Sequence, residues 1–144
     1  MTRATQVLTA GYGAMVAFHI ALAAGAPLGR AAWGGTHAHL TTGERVGSAL
    51  SAAFFAGAIA VVRRRATGRA GRLYRWGTWT LTGLLALSVV ANIASSSRWE
   101  NFLLAPAAVA LCVLTGVVAR APTTAADSMP AEHHGGGDAG ALAT

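Results

Sequence analysis

The chain has no lysine, one cysteine and five acidic residues in 144. Only 11% of its residues are charged, where soluble domains carry roughly 25%. Each shortage excludes something. A lone Cys112 excludes an intrachain disulfide and carries no message about redox compartment. The sequence contains no G-x-x-x-x-G-K-[ST], no H-E-x-x-H and no G-x-S-x-G, and Gly11-Tyr12-Gly13 follows no strand, so phosphate-loop, zincin and nucleophile-elbow chemistry all lack their residues. Catalysis needs positioned acids, bases or nucleophiles, and so apolar a chain offers few. The absence of lysine beside abundant alanine, glycine and arginine suits a bacterial protein from a GC-rich genome.

What the chain has is apolar surface. Hydrophobic residues make up 53% of it, with a mean hydropathy of +0.48. They arrive in blocks of about twenty, the length that crosses a hydrocarbon core of ~30 Å at ~1.5 Å per residue. The expected fold is an all-α four-helix transmembrane bundle with spans near 4–26, 42–62, 76–95 and 101–119, followed by a disordered cytoplasmic tail over 121–144 that has no apolar run. The first span is longer than a signal-peptide core, and Pro27 is a poor residue after a cleavage site, so it reads as a retained helix.

Between the second and third spans lies Arg63–Arg75, RRRATGRAGRLYR, with six arginines in thirteen residues. It orients the chain. With this loop in the cytoplasm, both termini are cytoplasmic too. Eight arginines (Arg3, Arg63, Arg64, Arg65, Arg69, Arg72, Arg75, Arg120) then lie inside and three (Arg30, Arg45, Arg98) outside, as the positive-inside rule requires. Trp76 and Trp79 fall near the inner interface, Trp33 and Trp99 near the outer one. The net charge of +6 and pI near 11.4 therefore point to anionic lipid headgroups on the Arg63–Arg75 loop and not to nucleic acid. The expected place is a bacterial cytoplasmic membrane, crossed several times.

Two helix starts carry one signature. Thr41-x-x-Glu44 and Ser97-x-x-Glu100 both fit a capping box, in which a hydroxyl accepts a backbone N–H and a carboxylate reaches back to the cap. Pro106 is expected to kink the fourth helix or mark its first turns. On the second helix Gly47 and Ser51, and Ala53 and Gly57, are four apart. They offer a face for a second copy or a partner helix.

His19 is the ionisable residue deep inside a span, which makes it a site candidate by position. Tyr12 and Met15 share its helix face. The structural alternative is a neutral histidine bonded to Asn92, Ser88 or a carbonyl across the bundle. A bis-histidine haem would need a second buried histidine, which no other span supplies, so no cofactor is expected. The outer loop and turn add Trp33, Arg98 and Glu100, so the candidate ligand-binding set is His19, Tyr12, Trp33, Asn92, Arg98 and Glu100. His37-x-His39 with Glu44 is a weak metal pattern. His133-His134 lies in the tail, across the membrane from it.

The stretch Gly25–Gly35, GAPLGRAAWGG, together with Asn92-x-x-Ser95, Ser97-x-x-Glu100 and Pro106, resembles a family of small bacterial four-helix integral membrane proteins. The likeness spans about residues 10–119. It implies the four-helix fold with a Gly-Ala-Pro-x-Gly and Trp-Gly-Gly first outer loop, and it implies no catalytic residue, because the family has no assigned activity. The functional expectation is non-enzymatic binding of a lipid, a small apolar ligand or a partner membrane protein through the outer half. Two rivals stand beside it: a small oligomeric transporter or channel with His19 as its proton-sensitive group, and an enzyme with a His37, His39 and Glu44 site on the outer face.

Overall fold

The computed structural model describes residues 2–67 and 71–121. Among them are four helices and no strand: α1 (Arg3–Ala23), α2 (Thr42–Ala66), α3 (Arg72–Ala94) and α4 (Glu100–Arg120). All four are long and apolar enough to cross a membrane. The helix α1 packs along α2 and α3 along α4, and the two antiparallel hairpins meet through α1–α4 and α2–α3 contacts. One end gathers the arginine-rich helix ends, and the other carries the long α1–α2 loop and the short α3–α4 turn. Most of the expected tail, residues 122–144, lies outside the described residues, as does Arg69.

The helix ends differ from the hydropathy boundaries for local reasons. The helix α1 stops at Ala23 because Gly25, at φ +96°, closes a Schellman motif: its N–H bonds Leu22 O (3.0 Å) and the Ala26 N–H bonds Ala21 O (3.0 Å). Pro27 then prevents continuation. The helix α2 runs on past residue 62 to Ala66, so Arg63, Arg64 and Arg65 form its last turn, where cations favour the negative end of the helix dipole. The helix α3 starts at Arg72, earlier than Trp76. The arginine stretch is thus mostly helix end and not loop.

The core joins Leu8 and Tyr12 of α1, Ala58 and Val62 of α2, Leu81 and Leu85 of α3, and Leu111 and Val118 of α4. The buried hydroxyls of Thr78 and Thr115 are satisfied within their own helices, as an apolar surround demands. Thr78 donates to Tyr74 O or Arg75 O (both 2.9 Å), and Thr115 donates to Leu111 O (2.6 Å). The single Thr115 proton is therefore committed, so the Tyr12 hydroxyl donates to Thr115 Oγ1 (2.7 Å) and ties α1 to α4 across the bundle.

Two arginines close helix C-termini. Arg45 Nε donates to Ala23 O (2.9 Å) at the end of α1. Arg65 is buried at 6% exposure and donates through Nη2 to Ala119 O (3.4 Å) and to Ala121 O at the end of α4. Each neutralises orphan carbonyls at a negative dipole end. Arg120 stacks its guanidinium 5.8 Å from the Trp79 ring.

Candidate functional site: a capped cavity at the loop end

The α1–α2 loop folds back over its end of the bundle. The Gly29 N–H bonds Ala38 O (2.9 Å), and a Cβ on Gly29 would lie 2.5 Å from His37 O, so the loop crosses itself at the only residue small enough. Trp33, Gly34 and Gly35 then all take positive φ (55°, 79° and 68°), a run that L side chains resist and glycine accepts. That turn is held from both sides. Trp33 Nε1 donates to Ser48 Oγ (3.0 Å), and its ring lies on Gly47, where a Cβ would come within 2.6 Å of it. The Gly34 N–H donates to Glu100 Oε1 (3.0 Å), Ser96 Oγ donates to Gly34 O (3.4 Å), and Ser97 Oγ donates to Arg30 O (2.8 Å).

Two expectations change here. Gly47 does not offer a face to another chain, because the protein's own Trp33 occupies it; Gly57 has open space around it. Ser97-x-x-Glu100 is only half of a capping box. Ser97 Oγ accepts the Glu100 N–H (3.4 Å), but the Glu100 carboxylate turns to Gly34 and not back to the cap. At α2 the box is complete: the Thr41 N–H donates to Glu44 Oε2 (2.8 Å) and the Glu44 N–H to Thr41 Oγ1 (3.4 Å). The first turn of α4 is also wider than an α-helix. Residues Glu100–Leu104 wind as a π-turn in which the Ala105 N–H reaches Glu100 O, directly before Pro106, which has no N–H to offer Phe102.

Under this cap lies a cavity of about 590 Å³, within the ~300–1,000 Å³ of small-molecule sites. Its roof is Ala32, Trp33 and Gly34. The helix α1 contributes Met15, Phe18 and His19; α2 contributes Leu50, Ser51, Phe54 and Phe55. From α3 come Leu85, Ser88, Ala91 and Asn92, and from α4 Glu100, Leu104, Ala108 and Leu111. The exposed members are Trp33 of the roof and Leu50, Phe54 and Ala91, with Leu50 the most open at 67%, so the mouth lies at the side, where α2 and α3 carry three of the four.

Of the sequence candidates, His19, Trp33, Asn92 and Glu100 meet in this wall. Tyr12 does not. It sits in the core at 0% exposure, held by Thr115, while Met15 of the same face reaches the cavity. Arg98 is exposed and outside the wall. The His19 ring stacks on Phe55 (centroids 5.6 Å, 22°) and meets Phe18 edge-on (5.5 Å, 69°). Neither expected partner is there: Asn92 Nδ2 donates to Ser88 O (2.9 Å), Ser88 Oγ donates to Leu84 O (3.1 Å), and His19 Nδ1 is buried with no partner among the described residues. His37 and His39 are exposed in the loop, with His37 Nδ1 on Thr36 Oγ1 (2.7 Å) and the Glu44 carboxylate committed to Thr41. Among the described residues no three of His, Cys, Asp and Glu come together as a metal set.

The phenylalanines Phe18, Phe54 and Phe55 were not singled out from the sequence, where they read as ordinary span residues. The legible signal was Pro106 shortly after a carboxylate, which marks an irregular helix start facing the interior. The chain matches no family model, and no curated protein and no solved structure matches it either.

Proposed function

We propose that this is an integral membrane protein, both termini in the cytoplasm, that binds a lipid or small apolar ligand in the capped cavity of its outer half, without catalysis. The observation that carries the reading is the cavity itself: about 590 Å³, walled by Phe18, Phe54, Phe55, Leu85 and Leu111, with its mouth between α2 and α3. In a bilayer that mouth faces acyl chains, so an apolar ligand enters without crossing water. A few polar groups at the capped end would orient it. At the other end Arg63 and Arg64 are exposed and available to anionic headgroups, with Arg65 withdrawn to cap α4.

Native mass spectrometry of the full chain released from mild detergent tests this reading. A discrete adduct is expected on the parent protein and not on Ser51→Leu, whose side chain occupies the cavity. An adduct that survives in the filled variant would remove the cavity from the argument, and its absence from both would remove ligand binding.

A second reading, a small transporter or channel working as an oligomer, draws on one observation, the Nδ1 of His19 in the cavity wall, which has no hydrogen-bond partner among the described residues. Liposome flux separates it: pH-dependent flux lost in His19→Ala supports transport, and no pH-dependent flux in the parent protein ends it.

A further inference from the structure

Most of the polar protons around the cavity are committed within the protein. Ser51 Oγ donates to Gly47 O (3.0 Å) and Ser88 Oγ to Leu84 O (3.1 Å), so each hydroxyl has used its proton on its own helix and keeps only lone pairs. One amide proton of Asn92 goes to Ser88 O, and the indole proton of Trp33 goes to Ser48. The Gly34 N–H goes to Glu100. Glu100 itself is 7% exposed, lines the cavity, and has that single N–H on one oxygen; its other oxygen has no hydrogen-bond partner among the described residues. No arginine lines the cavity. The second Asn92 N–H and the His19 ring can still donate, but the Glu100 carboxylate is the formally charged group among the described residues that line the space.

A buried carboxylate without a counter-ion is costly in an apolar surround, and partner positive charge relieves that cost. The aromatic wall adds to this. Trp33, Phe54 and Phe55 line the same cavity as the carboxylate, and ring faces attract cations. An anionic head would meet the Glu100 carboxylate across the same space and be repelled by it.

Resting on the ligand-binding reading above, we propose that the occupant is an amphiphilic cation: an ammonium group bearing N–H donors, seated at Glu100 with Asn92 and Ser88 beside it, and an apolar body lying against Phe54, Phe55 and Leu111. The ammonium chemistry is shared by free hydrophobic amines and by aminolipid headgroups.

The test is a thermal-shift titration of the full chain in one detergent with decylamine, decanol and decanoate, which share a tail and differ in the head. Decylamine is expected to saturate at a concentration at least about tenfold lower than decanol, the difference a charge-assisted hydrogen bond makes, with decanoate weakest. Glu100→Gln still accepts the Gly34 N–H and so keeps the cap, but it removes the charge; the amine should fall to the level of the alcohol. Ser51→Leu should weaken all three, which places the binding in this cavity. Decanol or decanoate binding as tightly as decylamine would overturn the cation inference and leave the apolar-ligand reading standing. No saturable shift with any of the three would end both. Lysophosphatidylethanolamine in the same titration identifies the source: saturation assigns the ammonium to a lipid headgroup, and failure beside a binding decylamine assigns it to a free amine.

Discussion

Thr41-x-x-Glu44 and Ser97-x-x-Glu100 are the same signature at two helix starts, and the chain uses them differently. At α2 the carboxylate folds back on its own cap, and the side chains involved are at the surface. At α4 the carboxylate is buried and reaches the Gly34 N–H, 66 residues away in sequence. The difference lies in what stands opposite. Among the described residues nothing but Thr41 is hydrogen-bonded to the Glu44 side chain, so the local bond wins. Glu100 faces a loop folded onto it, whose Gly34 N–H would otherwise be orphaned under the cap, and satisfying a buried donor outweighs closing a local ring. A four-residue motif proposes a hydrogen bond; the environment decides whether it forms.

Substitutions at four positions break or sharpen this comparison, each read as thermal unfolding in one detergent. The largest loss is expected from Gly35→Ala. It forces an L side chain to φ +68°, roughly 1–2 kcal/mol, and sets a Cβ 2.8 Å from Arg30 O and Ser97 Cβ, roughly 1–3 kcal/mol more. A variant that melts with the parent would mean that the cap is not held at this turn. Glu100→Ala comes next, at about 1–3 kcal/mol, because it strands the Gly34 N–H; Glu100→Gln should recover most of that, and equal losses in both would show that the bond to Gly34 carries no weight. Glu44→Ala should cost less than Glu100→Ala, because the exposed carboxylate it removes serves only its own helix start. Were it to equal Glu100→Ala, the contrast between the two boxes would collapse. Smallest is Tyr12→Phe, about 0.6 and at most about 1.7 kcal/mol for one hydrogen bond across a membrane bundle, with no change in ligand binding. Loss of binding in that variant would return Tyr12 to the cavity.

The two ends of the bundle differ in how far they could be read in advance. At the arginine end, charge placement was legible, but Arg65 counted as one more surface cation and is in fact a buried cap for α4. At the loop end, Trp33, Asn92, Glu100 and His19 were singled out and do line one cavity, whereas Arg98 and Tyr12 were singled out with them and do not. Helical spacing put Tyr12 and His19 on one face correctly, yet a face runs the length of the bundle. Only the depth of the cap decides which residues on it meet the cavity and which meet the core. Gly47 was misjudged for a related reason: a small residue shows that something approaches closely, without saying whether that is another chain or, as here, Trp33 of the same one.

By itself the sequence determined the number of helices, their apolar length and the ends at which charge collects. These follow from hydropathy and from the rule that a helix in hydrocarbon satisfies its backbone internally, so each span is nearly independent of the others. Tertiary structure alone decided the fold-back of the α1–α2 loop, the irregular first turn of α4, the partner of Glu100 and the place of its carboxylate in the cavity wall. Each of those depends on groups far apart in the chain competing for the same proton, and no local pattern records which of them will be near.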